Sequence, residues 1–245
     1  MLTSVVAFYI LLLIVAFLYA SVGHGGASGY LALMALFQIA PETMRPTALV
    51  LNLFVSGIAF FQFYKAKHFV WSLFLPLAAA SVPMSFVGGL MLVNAVLYKR
   101  ILGLLLIFPI IRLLGVEKKS VEQPLQQPKQ VWLILIGAII GLLSGMIGIG
   151  GGIILSPVLI LLRWVDQKQN AAVGALFIFV NSLAGLGGQY STGLHVNNEM
   201  FAYVAVALIG GVAGSYLGAK QFNQLVLKKI LMVVLIIASA KLLSI

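Results

Sequence analysis

The sequence predicts an all-α, polytopic membrane fold made of two similar halves, on three observations. Hydrophobic residues make up 62% of the chain and charged residues only 8%, against about 25% charged in a soluble domain. Uncharged apolar runs recur from end to end, each near the ~20 residues that cross hydrocarbon. Three stretches of the first half also return, in the same order, in the second. A β-barrel would instead show short segments of alternating hydrophobicity.

The first half, 1–114, holds five apolar segments, at 3–22, 27–40, 46–64, 70–94 and 98–114. No Lys or Arg precedes Arg45, so the first segment lacks a basic leader and is expected to span rather than to be removed. GVEKKSVEQPLQQPKQ, residues 115–130, is polar and proline-bearing and reads as an aqueous linker. The second half, 131–245, gives five more segments, at 131–147, 150–163, 170–189, 200–219 and 225–243.

The halves read as a duplication. YKRILGLLLIFPIIRLL at 98–114 lies over LKKILMVVLIIASAKLL at 227–243 without a gap. SFVGG at 85–89 matches SYLGA at 215–219, and Gly23, Gly25 and Gly26 match Gly148, Gly150 and Gly151. Internal duplication is common in secondary transporters. If all five segments of each half cross, eleven of the 15 Lys and Arg residues fall on one side of the membrane and four on the other. With four crossings per half, the split is eight to seven. The positive-inside rule therefore favours five plus five, an inverted repeat with the linker in the cytoplasm and both termini outside. A four-plus-four arrangement, with a re-entrant second segment, is the alternative, because a fourteen-residue helix over Ala27–Ala40 reaches only ~21 Å.

The net charge of +10 would suggest nucleic acid in a soluble protein. Here it follows from orienting charges in loops, and no nucleic-acid partner is expected. The chain has no cysteine, which removes disulfides, thiolate metal sites and cysteine nucleophiles. Its three histidines lack a partner at helical spacing, so neither a metal nor any other cofactor is expected.

Two glycine-rich stretches interrupt the apolar runs: GHGGASGY at 23–30 and GIGGGIILSP at 148–157. One reading is close helix packing, which suits Gly137/Gly141/Gly145 and Gly210/Gly214/Gly218, each a series along one helical face. The other is a broken helix. Successive glycines each weaken a helix by ~1 kcal/mol, and they allow positive φ with bare backbone N–H groups. A helix restarting at Ser28 or Ile153 would aim those N–H groups and its positive dipole end into the gap, an anion site without a charged side chain. All five carboxylates (Glu42, Glu117, Glu122, Asp166 and Glu199) lie at segment ends or in the linker. A cationic substrate or a carboxylate proton relay would need an intramembrane acid.

GLLSGMIGIGGGIILSPVLI at 141–160, followed by AAVGALFIFVNSLAG at 171–185, resembles the signature of the TauE/SafE family, sulfite exporter-like membrane proteins. GHGGASGYLALMAL at 23–36 and RPTALVLNLFVSG at 45–57 resemble the same motif in its duplicated copy, where His24 and Ala27 depart from Gly-Ile-Gly-Gly-Gly. The resemblance implies a plasma-membrane protein that moves small anions, sulfite and organosulfonates in particular.

Around the two breaks, Gly23, His24, Gly25, Gly26, Ser28, Gly148, Gly150, Gly151 and Gly152 are the candidate anion contacts. His24 is the one ionisable side chain within either break; it reads as a structural histidine or as a hydrogen-bond and proton partner of the anion. Ser21, Ser28, Ser144 and Ser156 flank the breaks, and their default is back-bonding to their own helix. Asn52 and Asn181 are buried amides expected at matching places in the third segments. They serve either helix contacts or the substrate. Prolines such as Pro109 and Pro157 are expected at helix starts or kinks.

The leading expectation is a secondary transporter, in the direction of export, working by alternating access. Its partners are a small inorganic or organic anion and the lipid bilayer, and nothing in the sequence specifies an oligomeric state. Alternatives are a passive anion channel, a carrier of another small oxyanion, and a subunit that packs with other membrane proteins. An intramembrane enzyme would rest on His24 with Ser21 or Ser28, without an acid to orient them. No Walker A loop is present, so the chain is not expected to hydrolyse ATP.

Overall fold

The computed structural model of the chain describes residues 2–21, 26–114, 125–193, 198–221 and 224–244. They fold as helices without a strand among the described residues: α1 Leu2–Ser21, α2 Ala27–Leu36, α3 Pro41–Lys65, α4 Trp71–Leu90, α5 Ala95–Leu105, α6 Ile107–Leu114, α7 Gln130–Ile147, α8 Gly152–Leu161, α9 Gln167–Ser191, α10 Asn198–Gln221 and α11 Gln224–Leu243. All ten expected segments are helical. The segment at 98–114 differs, because it breaks between Leu105 and Ile107. Pro109 is the reason: it has no N–H for the Leu105 carbonyl, and its ring crowds that carbonyl. In α11 the corresponding residue of the alignment is Ala238, and the helix runs on unbroken.

Among the described residues, four helices are long and apolar enough to cross a membrane alone: α3, α4, α7 and Lys168–Ser191 of α9. Large apolar side chains such as Ile139, Phe201 and Ile209 face outward, as lipid-facing positions do. The second segments are shorter than the sequence suggested. α2 and α8 have ten residues each, about 15 Å, half of the hydrocarbon thickness. Both stop the same way. Gln38 and Arg163 adopt φ of 59° and 55°. The amides that follow them, Ile39 and Trp164, close on Met34 O and Leu159 O at 3.0 Å, a Schellman-type ending. These starts and stops pair at one spacing of 125 residues (27 with 152, 38 with 163).

The helices group into two compact units that cut across the sequence halves. The first comprises residues 1–51, 93–114 and 194–245, and the second 52–92 and 115–193. In the first, α1 packs along α10, and α11 packs on α2, α5 and α6. Phe8 meets Phe37 and Tyr203 edge-on at centroid distances of 5.2 and 4.9 Å. Ser239 Oγ donates to Gly103 O at 2.8 Å, and Lys241 Nζ donates to Leu36 O at 2.9 Å. That ammonium lies against the last carbonyls of α2, the negative end of its dipole.

In the second unit, α4 lies between α7 and α9, and α9 also packs on α8. The contact of α4 with α7 is backbone on backbone. A Cβ on Gly137, Gly141 or Gly145 would run into the carbonyl oxygens of Leu77, Ser81 and Ser85 respectively. The i, i+4, i+8 glycine series read from the sequence is therefore a packing stripe, as small-residue membrane interfaces are. At the α3–α4 turn, Phe69 packs on Phe60, Trp71 and Phe74 at 4.7–5.3 Å, the amphipathic aromatic grouping typical of a membrane–water boundary. Asp166 starts α9 with a capping box, accepting from Lys168 N and Gln169 N at 2.8 Å each while its own N–H donates to Gln169 Oε1.

Candidate functional site: the break between α7 and α8

The second glycine cluster is a true interruption. α7 ends at Ile147, and Gly148, its C-cap, takes φ 86°. Gly150 and Gly151 follow at φ 73° and 77°, which side-chain-bearing residues reach only at a cost of ~1–2 kcal/mol. α8 then starts at Gly152. The whole stretch 148–152 is buried. Irregular backbone at membrane depth persists only where protein or a wet cavity surrounds it.

The two helix ends are treated differently. On the α7 side, Gly148 N–H donates to Ser144 O at 2.8 Å, and the Gln189 Nε2 amide of α9 donates to Gly145 O at 3.2 Å. On the α8 side, the first amides with backbone acceptors are those of Ile154 and Leu155, both to Gly151 O. The N–H groups of Gly150, Gly151, Gly152 and Ile153 have no acceptor among the described residues. Among the described residues the positive end of the α8 dipole is thus bare, while two carbonyls of the α7 end, Ser144 O and Gly145 O, are occupied.

Three buried polar side chains gather at this bare end. A Cβ at Gly150 would stand 2.6 Å from Asn52 Nδ2 and 3.0 Å from Ser182 Oγ, and a Cβ at Gly151 would stand 3.4 Å from Ser144 Cβ. Asn52, Ser182 and Ser144 are at most 3% exposed. Asn52 Nδ2, Ser182 Oγ and Ser144 Oγ have no hydrogen-bond partner among the described residues. An unmade buried hydrogen bond costs ~1–3 kcal/mol, so three together make this break the candidate site. Ser144 was expected to back-bond to its own helix; among the described residues it makes no such bond.

Asn181 is placed elsewhere. Its Nδ2 donates to Ser81 Oγ at 3.0 Å and to Phe177 O at 2.8 Å, and its backbone carbonyl accepts from Ser85 Oγ at 2.7 Å. These bonds tie α9 to α4. The two asparagines are not equivalent in place either: Asn52 is the twelfth residue of α3, and Asn181 is the fifteenth of α9. Ser182 was missed. Its signal in the sequence was adjacency to Asn181 on a helix, where one more residue turns the side chain ~100° to a different neighbour.

In the first unit, Gly26 is the N-cap of α2 at φ −76°, with its carbonyl accepting from Tyr30 N at 3.0 Å. Ser28 is buried in the first turn. Gly23, His24 and Gly25 lie outside the described residues.

A bundle of apolar helices enclosing an interrupted, uncharged, donor-rich segment has the build of a polytopic membrane transporter. The match to known proteins agrees. The family model described as sulfite exporter TauE/SafE matches residues 8–242, and the chain belongs to that family. It is 34% identical over 244 residues to the probable membrane transporter protein y4hK of Sinorhizobium fredii, covering 98% of this chain and 99% of the relative. It is 28% identical to the probable membrane transporter protein MJ0441 of Methanocaldococcus jannaschii, over 77% of this chain and 73% of that one. A third relative, YunE of Bacillus subtilis, also a probable membrane transporter, is 32% identical over 42% of this chain and 37% of its own length. No solved structure gives a significant match. The protein is a multi-pass membrane transporter and not an enzyme.

Proposed function

We propose that this transporter is a secondary carrier that exports small sulfur-containing anions, sulfite or organosulfonates, across the plasma membrane by alternating access. One observation carries the reading: Asn52 Nδ2 and Ser182 Oγ, buried and unpartnered, stand against the Gly150 end of a helix whose first amides are bare. Every one of these groups can donate a hydrogen bond, and charge-assisted hydrogen bonds to an oxyanion are about twice as strong as neutral ones. The family description, which names sulfite, supports the choice of substrate. In this conformation the groups are closed on one another, since a single Cβ at Gly150 would already crowd Asn52. Admission of the anion therefore requires α3 and α9 to draw back from α8, the kind of movement alternating access needs. The common spacing of 125 residues between α2 and α8, at both ends, supports the duplication that such carriers use.

The test is flux. Purified protein in liposomes is expected to carry labelled sulfite with saturation and counterflow, which a passive channel lacks. Asn52→Ala and Ser182→Ala, each confirmed as folded, are expected to cut that flux at least about tenfold, the worth of one lost charge-assisted hydrogen bond. Wild-type flux in both variants would remove the break as the binding site.

A further inference from the structure

Resting on that reading of the break as the anion site, we propose that it accepts oxyanions only as single charges: hydrogensulfite and sulfonates of the form R–SO3−, to the exclusion of doubly charged sulfite and sulfate. The argument starts from what surrounds the break. Asn52, Ser144 and Ser182 are neutral, and so is every residue of α4, α7 and α8. The ionisable groups on the remaining packed elements stand far along their helices. Lys65 is thirteen residues from Asn52 on α3, about 20 Å, and Lys168 is fourteen residues from Ser182 on α9, about 21 Å. Asp166 caps α9 beyond Lys168. Arg163 follows the far end of α8, Lys129 precedes the far end of α7, and Lys67 and His68 lie in the α3–α4 turn. The nearest cation along a helix is Arg45, seven residues before Asn52 on α3, about 10 Å away. It interacts with Glu42 and Tyr98.

From the described residues packed on the break, the positive field at the site is then that of one helix end, about half an elementary charge. The cost of stripping water from an ion rises with the square of its charge, so a second charge roughly quadruples it. Neutral donors in fixed number do not supply a matching gain. The serine hydroxyls also accept hydrogen bonds. Ser144 Oγ or Ser182 Oγ can accept a hydrogen bond from the hydroxyl of hydrogensulfite, which doubly charged sulfite lacks.

The experiment uses the full chain in liposomes, with the flux of protein-free vesicles subtracted to remove leakage of neutral sulfur dioxide. Methanesulfonate, sulfate and sulfite are compared on both sides of neutrality, where hydrogensulfite loses its one remaining proton. Methanesulfonate, a single charge throughout, is expected to move at a rate independent of pH, and sulfate at least about tenfold more slowly, the effect of one pKa-unit equivalent of free energy. Sulfite flux is expected to fall about tenfold per pH unit on the alkaline side, following its singly charged fraction. A folded Asn52→Ala variant is expected to slow methanesulfonate and sulfite by the same factor. Sulfate moving as fast as methanesulfonate, or sulfite flux holding steady in alkali, overturns the proposal while leaving the anion site standing. A fall of methanesulfonate flux in step with sulfite also overturns it, because the protein and not the substrate is then titrating. An Asn52→Ala variant that keeps wild-type flux and discrimination places the selection elsewhere and overturns it too. Failure to carry any of the three anions sinks the underlying reading of the function itself.

Discussion

Gly137, Gly141 and Gly145 stand within one helix, and Gly148, Gly150 and Gly151 follow a few residues later, yet the same residue type does opposite things in the two places. The first three are helical, and their missing side chains let the α4 backbone come into contact. The second three have φ between 73° and 86°, and their missing side chains let the chain leave the helix. Spacing separates the uses. Every fourth position keeps one face of α7 flat; near-consecutive positions remove the helix's reason to continue. What α7 gains in contact with α4, the break forgoes, ending in donors that nothing in the described protein answers.

The sharpest way to break this comparison is Gly150→Val. The substitution adds strain at positive φ and drives a branched side chain onto Asn52 and Ser182. Flux is expected to fall to the background of empty vesicles, at a stability cost of about 1–3 kcal/mol. Next comes Gly141→Val. Its Cβ meets the Ser81 carbonyl, so α4 and α7 must separate. The thermal midpoint in detergent is expected to drop by the equivalent of about 1–3 kcal/mol, while the affinity of the remaining folded protein for the anion stays as in wild type. Changed affinity in Gly141→Val, or unchanged flux in Gly150→Val, would show that the two sets are not functionally distinct. The smallest effects come from a matched pair with nothing among the described residues within 4 Å of the added Cβ. Gly211→Ala, in the helix α10, should raise stability by at most about 1 kcal/mol. Gly193→Ala, at φ 82°, should lower it by about 1–2 kcal/mol. Equal midpoints for the two would mean that positive φ costs nothing here, and would weaken the same argument for Gly150.

Much of this was legible in the sequence, for identifiable reasons. Segment existence follows from hydropathy, and the packing stripe follows from a period of four. The restart of α8 within a residue of Ile153 follows from glycine clustering. What the sequence did not reveal depends on direction across helices. Asn52 and Asn181 looked alike because each is an asparagine in the apolar middle of a long helix; one faces the break and the other is bound by Ser81 and Phe177. Ser182 carried no signal beyond its neighbour, because a buried serine is ordinary until its partners are counted. The split at Leu106 was within reach, since Pro109 has no counterpart in α11.

Gln189 has a consequence of its own. An interrupted helix is ambivalent by construction, with a lip of carbonyls that suits a sodium ion facing a lip of amides that suits a chloride. By laying one carboxamide hydrogen on Gly145 O, the chain occupies one carbonyl of the first lip and leaves the second to speak. A side chain that bears no charge and hangs from a neighbouring helix thus weighs on the polarity of the gap, and a Gln189→Leu exchange is expected to free that carbonyl again.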